Sequence, residues 1–96
     1  MSIHVIGAGL AGLAAACQLT ECGRHVVLHE AARAPGGRAR SYFDTQLGCR
    51  IDNGNHLLLS GNIASLVYLR RIGARRSLTG PVNPDFPFVD LTTGRH

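Results

Sequence analysis

The sequence SIHVIGAGLAG, residues 2–12, joins a short β-branched run to the glycine pattern G-x-G-x-x-G. Residues 2–6 are typical of a short buried strand. Residues 13–22 are alanine-rich and proline-free, which favours a helix, and Gly23 is suited to end that helix. A second apolar run over residues 26–30 predicts another strand buried on both faces. This order of strand, glycine turn, helix and strand predicts a βαβ unit with two parallel strands.

The glycine turn has the spacing of a dinucleotide-binding loop. Its first glycine permits a tight turn, its second lets the backbone approach a pyrophosphate, and its third lets the helix pack closely on the strand. The helix N-terminus offers free amide N–H groups and a partial positive charge to the phosphates. The pattern therefore predicts a dinucleotide site, whereas the alternative is a glycine-rich helix start that only packs tightly. The predicted binding residues of this loop are Gly7, Ala8, Gly9, Leu10, Ala11 and Gly12.

An acidic residue closes the second strand. Glu30 lies roughly 20 residues beyond the glycines, where a carboxylate can accept hydrogen bonds from a ribose 2′-hydroxyl. A 2′-phosphate at that place would meet a like charge. Glu30 is therefore a predicted cofactor-binding residue, and NADP is disfavoured.

The segment after the second strand departs from a plain nicotinamide-binding domain, in which another crossover helix and a third parallel strand would follow. Pro35-Gly36-Gly37 breaks regular structure, and no amphipathic helix fits between Pro35 and Asp52. Residues 41–43 and 49–52 instead predict two strands joined by a hairpin connection over residues 44–48. From these residues alone, the glycine pair is either a second wall of the cofactor site or an ordinary surface loop.

A longer pattern around this glycine pair resembles a known superfamily. Glu30-Ala31, four further residues, Gly36-Gly37-Arg38 and then Ser41 resemble the E-A-x-x-x-x-G-G-R-x-x-S signature of FAD-dependent amine oxidases and phytoene-desaturase-type enzymes. In that superfamily the segment lies along the FAD diphosphate. The resemblance therefore implies FAD as the cofactor, with the backbone of Gly36 and Gly37 close to it and a charge-assisted contact from Arg38. Ala31 is a further cofactor-binding residue by the same resemblance.

The remaining sequence resembles the hydroxysqualene dehydroxylases, which are squalene-associated FAD-dependent desaturases. The stretches DNGNHLLL at residues 52–59, FPFVDL at residues 86–91 and Thr93-Gly94 are similar to that family. Its chains are several times longer, so the similarity is to their N-terminal portion. The resemblance implies an α/β fold class: a Rossmann-like FAD-binding βαβ unit, then a β-hairpin and a helix, as an incomplete doubly wound domain.

The resemblance also implies a function for the complete protein. We expect an FAD-dependent oxidoreductase that removes the hydroxyl group of a squalene-type isoprenoid reductively, and a fragment of this length is expected to be inactive alone. The alternatives are a phytoene-desaturase-type or amine-oxidase-type flavoenzyme, and a nucleotide-binding module without catalysis. Asn53, Gly54 and His56 are further cofactor-side positions. His56 would position the flavin side of the site or transfer a proton, or it is a scaffold residue.

The second half of the chain predicts one helix and a change of structural unit. Apolar residues over 63–72 favour a helix that Gly73 ends, with Arg70, Arg71, Arg75 and Arg76 clustered there. That cluster is a solvated helix end, or it contacts the anionic inner face of the cell membrane. Prolines at 81, 84 and 87 mark a connection. We therefore predict part of an FAD-binding domain over residues 1–80, and a linker with the first strand of a substrate domain over residues 81–96.

Composition excludes several other classes of function. The net charge of +4 comes from dispersed arginines, and aromatic residues make up 5% of the chain, so no basic face with stacking aromatics for a nucleic acid is predicted. Three cysteines without CxxC spacing indicate neither a disulfide framework nor a metal site, and are typical of a reducing, cytoplasmic compartment. The apolar N-terminus resembles a signal peptide, but no Lys or Arg precedes it, which disfavours a secreted or membrane-anchored protein.

Overall fold

The computed structural model of the chain describes residues 1–54, 57–83 and 85–95. Two compact units are present, Met1–Asn62 and Ile63–His96. The first unit contains strand β1 (Ser2–Ile6), helix α1 (Leu10–Glu21), strand β2 (His25–His29), strand β3 (Ser41–Asp44) and strand β4 (Cys49–Asp52). The second contains helix α2 (Ile63–Arg71) and a 3₁₀ turn (Arg75–Ser77).

Strands β1 and β2 form a parallel pair, with α1 as the crossover between them. The register runs from Ser2 opposite His25 to Ile6 opposite His29. Helix α1 contacts both strands. The predicted βαβ unit is therefore confirmed, and its loop between β1 and α1 lies at the carboxyl ends of both strands, where α/β folds bind their ligands.

Helix α1 begins earlier than its alanine-rich run predicts. Gly9 is its N-cap, so the last three residues of the glycine pattern, Leu10 to Gly12, already form the first turn of the helix. Strand β2 ends at His29, which makes Glu30 the first residue beyond it. No helix formed by the described residues is long and apolar enough to cross a bilayer.

The two faces of the β1–β2 pair differ. Helix α1 covers the face that carries the half-buried Ile3 and Val5. The other face is exposed and carries both apolar and polar side chains, since Ile6 is 80% exposed there. On the same face the Ser2 hydroxyl lies 2.8 Å from Nδ1 of His25, and the stacked rings of His4 and His29 approach to 2.8 Å between nitrogens. The expectation that both faces are buried is therefore wrong for the described part of the chain, where nothing forms a second covering layer.

The predicted hairpin is confirmed. Strands β3 and β4 are antiparallel, from Ser41 opposite Asp52 to Asp44 opposite Cys49. The connection forms because the Asp44 carboxylate accepts hydrogen bonds from the amides of Gln46 and Leu47. No helix occurs among the residues between Pro35 and Asp52, as predicted.

In the second unit, α2 ends one residue before the predicted limit. Residues 86–91, where the sequence predicts the first strand of a substrate domain, form no strand, because no partner strand lies beside them in the described residues. The chain turns at Asp90, whose side chain accepts a hydrogen bond from the Thr92 amide. The division into an FAD-binding part over residues 1–80 and a substrate-domain part over 81–96 stays a prediction.

The 96-residue chain by itself is expected to unfold in a broad, weakly cooperative thermal transition. Among the described residues only Ala8 is buried, whereas Ile6, Phe88 and Leu91 are 80%, 77% and 90% exposed. So little burial cannot offset the conformational entropy lost on folding, which is about 1 to 2 kcal/mol per residue for the backbone. Calorimetry of this chain checks the expectation, and a sharp two-state transition would contradict it.

Candidate functional site

The site is built at the ends of β1 and β2, where the first glycine turn leaves the sheet. The Gly7 amide donates a hydrogen bond to the His29 carbonyl at 2.7 Å and so extends the pairing of the two strands by one residue. Helix α1 then starts directly above this turn: a Cβ on Gly12 would lie 1.8 Å from the Gly7 carbonyl oxygen. Only glycine allows the helix and the turn to approach so closely, as the spacing predicts.

The N-terminus of α1 is open to an anion. Its N-cap is Gly9, no side chain among the described residues caps the helix, and no acidic residue lies in its first turn. The first amides of a helix lack partners within the helix and carry a partial positive charge. A Cβ on Gly9 would meet no atom of the described residues within 4 Å, so they leave the space beside Gly9 free. These features fit a dinucleotide diphosphate bound to the amides of Leu10 and Ala11.

The second glycine pair packs against the first glycine turn. The Gly36 amide donates a hydrogen bond to the Ala8 carbonyl at 2.7 Å. Gly36 and Gly37 have φ angles of 115° and 59°, a region that side chains other than glycine rarely adopt. A Cβ on Gly37 would lie 3.2 Å from the Gly9 Cα. The structure therefore brings both predicted glycine segments together, with the free space beside Gly9 next to their contact.

The loop after the glycine pair is tied to the hairpin. The Asn53 side-chain amide donates a hydrogen bond to the Arg38 carbonyl at 3.2 Å, and its backbone amide donates to the Arg40 carbonyl at 2.9 Å. Arg38 is exposed. Asn53, predicted as a cofactor residue, thus supports the backbone of the arginine that follows the glycine pair. Nothing in the sequence pattern signals these two bonds.

Glu30 is hydrogen-bonded to the protein backbone at the predicted site. Its carboxylate accepts the Ala8 amide at 2.6 Å on Oε2 and the Ala32 amide at 3.0 Å on Oε1. The Ala32 amide, and after it the Ala8 amide, stabilises the charged form and lowers the pKa of this carboxyl below its ordinary value. Glu30 therefore stays ionised at neutral pH and can also accept a ribose hydroxyl, because each carboxylate oxygen has two acceptor positions.

Three further residues were predicted to bind the cofactor: Ala31, Gly54 and His56. Ala31 follows Glu30 and is exposed, and Gly54 lies in a bend beyond β4. His56 falls outside the described residues. Sequence reasoning missed Ala32, whose amide holds Glu30, because a backbone amide leaves no residue-specific signal in the sequence.

Comparison with known proteins identifies a Rossmann-like nucleotide-binding unit in this chain. The model of the family of NAD(P)-binding Rossmann-like domains matches residues 5–71. Hydroxysqualene dehydroxylase of Rhodopseudomonas palustris is 57% identical over 90 residues, which are 94% of this chain and 22% of that protein. The enzyme of the same name from Zymomonas mobilis is 54% identical over 89 residues, or 93% of this chain and 22% of that protein.

A more distant match has a different name. The probable zeta-carotene desaturase of Synechococcus elongatus is 33% identical over 78 residues, which are 81% of this chain and 16% of that protein. These similarities confirm the resemblance predicted from the glycine-pair signature. The chain spans about a fifth of the length of the curated relatives that it matches.

Proposed function

The chain belongs to the family of NAD(P)-binding Rossmann-like domains, and we propose that its dinucleotide is FAD. The hairpin β3–β4 supports FAD, because it follows β2 where a plain nicotinamide-binding domain has a crossover helix. The observation that carries the proposal is the contact between the two glycine segments, from Gly36 to Ala8 and from Gly37 to Gly9. This contact supports a diphosphate site with backbone on two sides, which the E-A-x-x-x-x-G-G-R pattern also favours.

Each part of the site has a separate role in holding FAD. The amides at the start of α1, at Leu10 and Ala11, bind the diphosphate. Arg38, which follows the second glycine pair, adds a charge-assisted hydrogen bond from its guanidinium. The free acceptor positions of Glu30 take the ribose hydroxyls of the adenosine half. The assignment of Gly54 and His56 to the cofactor site stays a prediction.

For the complete protein we propose reductive dehydroxylation of hydroxysqualene. The relatives at 57% and 54% identity carry this activity in their names. In this reaction a C–O bond breaks and a C–H bond forms, so that hydroxysqualene, two electrons and two protons give squalene and water. The bound flavin in its reduced form supplies the electrons, while the protein positions the cofactor and surrounds an apolar substrate.

A desaturase-type reaction is the alternative, favoured by the 33% identical zeta-carotene desaturase. Electrons move in the opposite direction in this reaction, from the isoprenoid to the flavin, because desaturation removes two hydrogens from the isoprenoid and reduces the flavin. The two reactions are separated by incubating the complete protein with hydroxysqualene without oxygen under two conditions, once with chemically reduced flavin and once with oxidised flavin. Squalene as the product supports dehydroxylation. Release of oxidised, more unsaturated products by the oxidised protein would favour desaturation, and absence of bound flavin would leave a non-catalytic nucleotide-binding module.

The remaining predictions concern the setting of the complete protein. We propose that further strands complete a doubly wound sheet around β1 and β2, whose second face is exposed here. A cytoplasmic location and peripheral contact with the inner face of the cell membrane stay predictions. For the membrane contact, Arg70, Arg75 and Arg76 are exposed, and positive charge near an anionic lipid surface adds about 1 kcal/mol per arginine.

Replacing Arg38 with alanine is expected to weaken FAD binding by the complete protein about tenfold at low salt. The loss should shrink as salt is added, because salt screens the attraction between a guanidinium and a diphosphate. Titration of the flavin-free protein with FAD at several salt concentrations measures both effects. Arg24→Ala is the matched control, since Arg24 is also exposed but precedes the opposite end of β2. An unchanged salt dependence of FAD binding in Arg38→Ala would show that the segment of residues 36–38 is an ordinary surface loop.

A further inference from the structure

Glu30 connects parts of the site that are distant in sequence. Its Oε1 accepts the Ala32 amide, which fixes the carboxylate relative to the chain that leaves β2. Its Oε2 accepts the Ala8 amide at 2.6 Å, in the turn that leaves β1. The side chain is thus held by one backbone amide and itself holds another.

The peptide groups on both sides of Ala8 are fixed. Its amide is bound to Glu30 and its carbonyl accepts the Gly36 amide, so the residue joins the first glycine turn to the second glycine pair. Ala8 is also 1% exposed, the one buried residue in the described part of the chain. The Ala8 amide belongs to the peptide plane before this residue and the Ala8 carbonyl to the plane after it. Loss of the bond to Glu30 would therefore release the first plane, and with it one of the two bonds that orient the carbonyl that binds Gly36.

We propose that Glu30 is a positioning residue for the dinucleotide site, which holds the Ala8 backbone in the orientation that docks Gly36-Gly37 onto the first glycine turn. This inference rests on the proposed function. It adds a role that acts through Ala8 and does not require contact between Glu30 and the ribose. The charged carboxylate is suited to this role because two amide donors converge on its two oxygens.

The chemistry of the bond pair predicts how substitutions behave. Glutamine has one accepting oxygen and one donating NH₂ group. In Glu30→Gln, therefore, either the Ala8 or the Ala32 amide faces another donor. The conservative variant should then damage the site about as much as Glu30→Ala does, whereas a simple ribose acceptor would be replaced well by the glutamine oxygen.

The experiment compares two ligands on the flavin-free complete protein. One is FAD, and the other is its analogue without the 2′- and 3′-hydroxyls on the adenosine ribose, which cannot make the ribose contact. We expect Glu30→Gln to lower the affinity for both ligands, each about tenfold. If Glu30 acted through the ribose alone, the variant would bind the analogue as well as the unsubstituted protein does, and that result would overturn the proposal. Asp85→Asn, which removes one exposed carboxylate elsewhere, is the control and should leave both affinities unchanged.

A second measurement keeps the proposal testable without ligand. Hydrogen exchange at the Ala8 amide of the flavin-free protein should be faster in Glu30→Gln than in the unsubstituted protein. If that variant does not fold, exchange at the Ala8 amide is measured in the unsubstituted protein at several pH values. Protection of this amide should fall as the pH drops through the lowered pKa of Glu30, because the bond needs the charged carboxylate. Protection of the Ala8 amide that stays the same when Glu30 becomes protonated would contradict the proposal. An unsubstituted protein that binds neither FAD nor the analogue, but shows the exchange effect, would reject the proposed cofactor and keep the positioning role.

Discussion

Replacing Gly12 with alanine is expected to lower the free energy of unfolding of the complete protein by about 3 kcal/mol or more and to abolish flavin retention. The added Cβ would lie 1.8 Å from the Gly7 carbonyl oxygen and 3.0 Å from its carbon. Both atoms belong to the backbone, so α1 must move away from β1 and the turn must deform. Urea denaturation and the ratio of flavin to protein after purification measure the two effects.

The control for this prediction is Gly61→Ala. A Cβ at Gly61 meets nothing within 4 Å, and the residue does not have a positive φ angle. This variant should retain both the stability and the flavin content of the unsubstituted protein. A Gly12→Ala protein with unchanged stability would show that helix and turn do not approach as closely as the structure has them.

Replacing Gly9 with valine is expected to abolish flavin retention while it leaves the fold intact. Gly9 has φ −72° and ψ −177°, which any residue adopts, and a Cβ there meets no atom within 4 Å. The free energy of unfolding of the flavin-free protein should therefore fall by about 1 kcal/mol at most, the scale of a changed N-cap. The valine side chain occupies the free space that we assign to the diphosphate.

The two glycine variants separate folding from binding. Gly12→Ala should lose both properties, whereas Gly9→Val should lose flavin and keep a cooperative unfolding transition. A folded Gly9→Val protein with stoichiometric flavin would show that the space beside Gly9 is not the diphosphate site. Flavin absorbance and denaturation of the same preparations measure this contrast.

The local elements could be predicted from the sequence because short patterns determine them. The spacing of Gly7, Gly9 and Gly12 indicates a turn followed by a closely packed helix, and Asp44 with Gly48 indicates the hairpin connection. The start of α1 was harder to predict, because its N-cap residue, Gly9, has no side chain that would signal a cap. An alanine-rich sequence on its own does not show where a helix begins.

The contacts that assemble the site could not be read from the sequence. The bond from the Ala8 amide to Glu30 and the bond from the Gly36 amide to the Ala8 carbonyl join residues far apart in the chain. A backbone amide has no residue-specific signature, so no motif reports its partner. The exposed face of the β1–β2 pair, which α1 does not cover, was not predicted for another reason. Parallel strands are ordinarily covered on both sides, and a second covering layer is absent from the described residues.

The central claim is that FAD binds with its diphosphate between the two glycine segments, and the most direct measurement is a crystal structure of the complete protein with FAD. The account predicts diphosphate oxygens about 2.7 to 3.2 Å from the amide nitrogens of Leu10 or Ala11, with Gly37 beside them and Arg38 in contact. It also predicts that Glu30 retains its bond to the Ala8 amide. A diphosphate bound away from Gly9, with the first amides of α1 facing water, would contradict it.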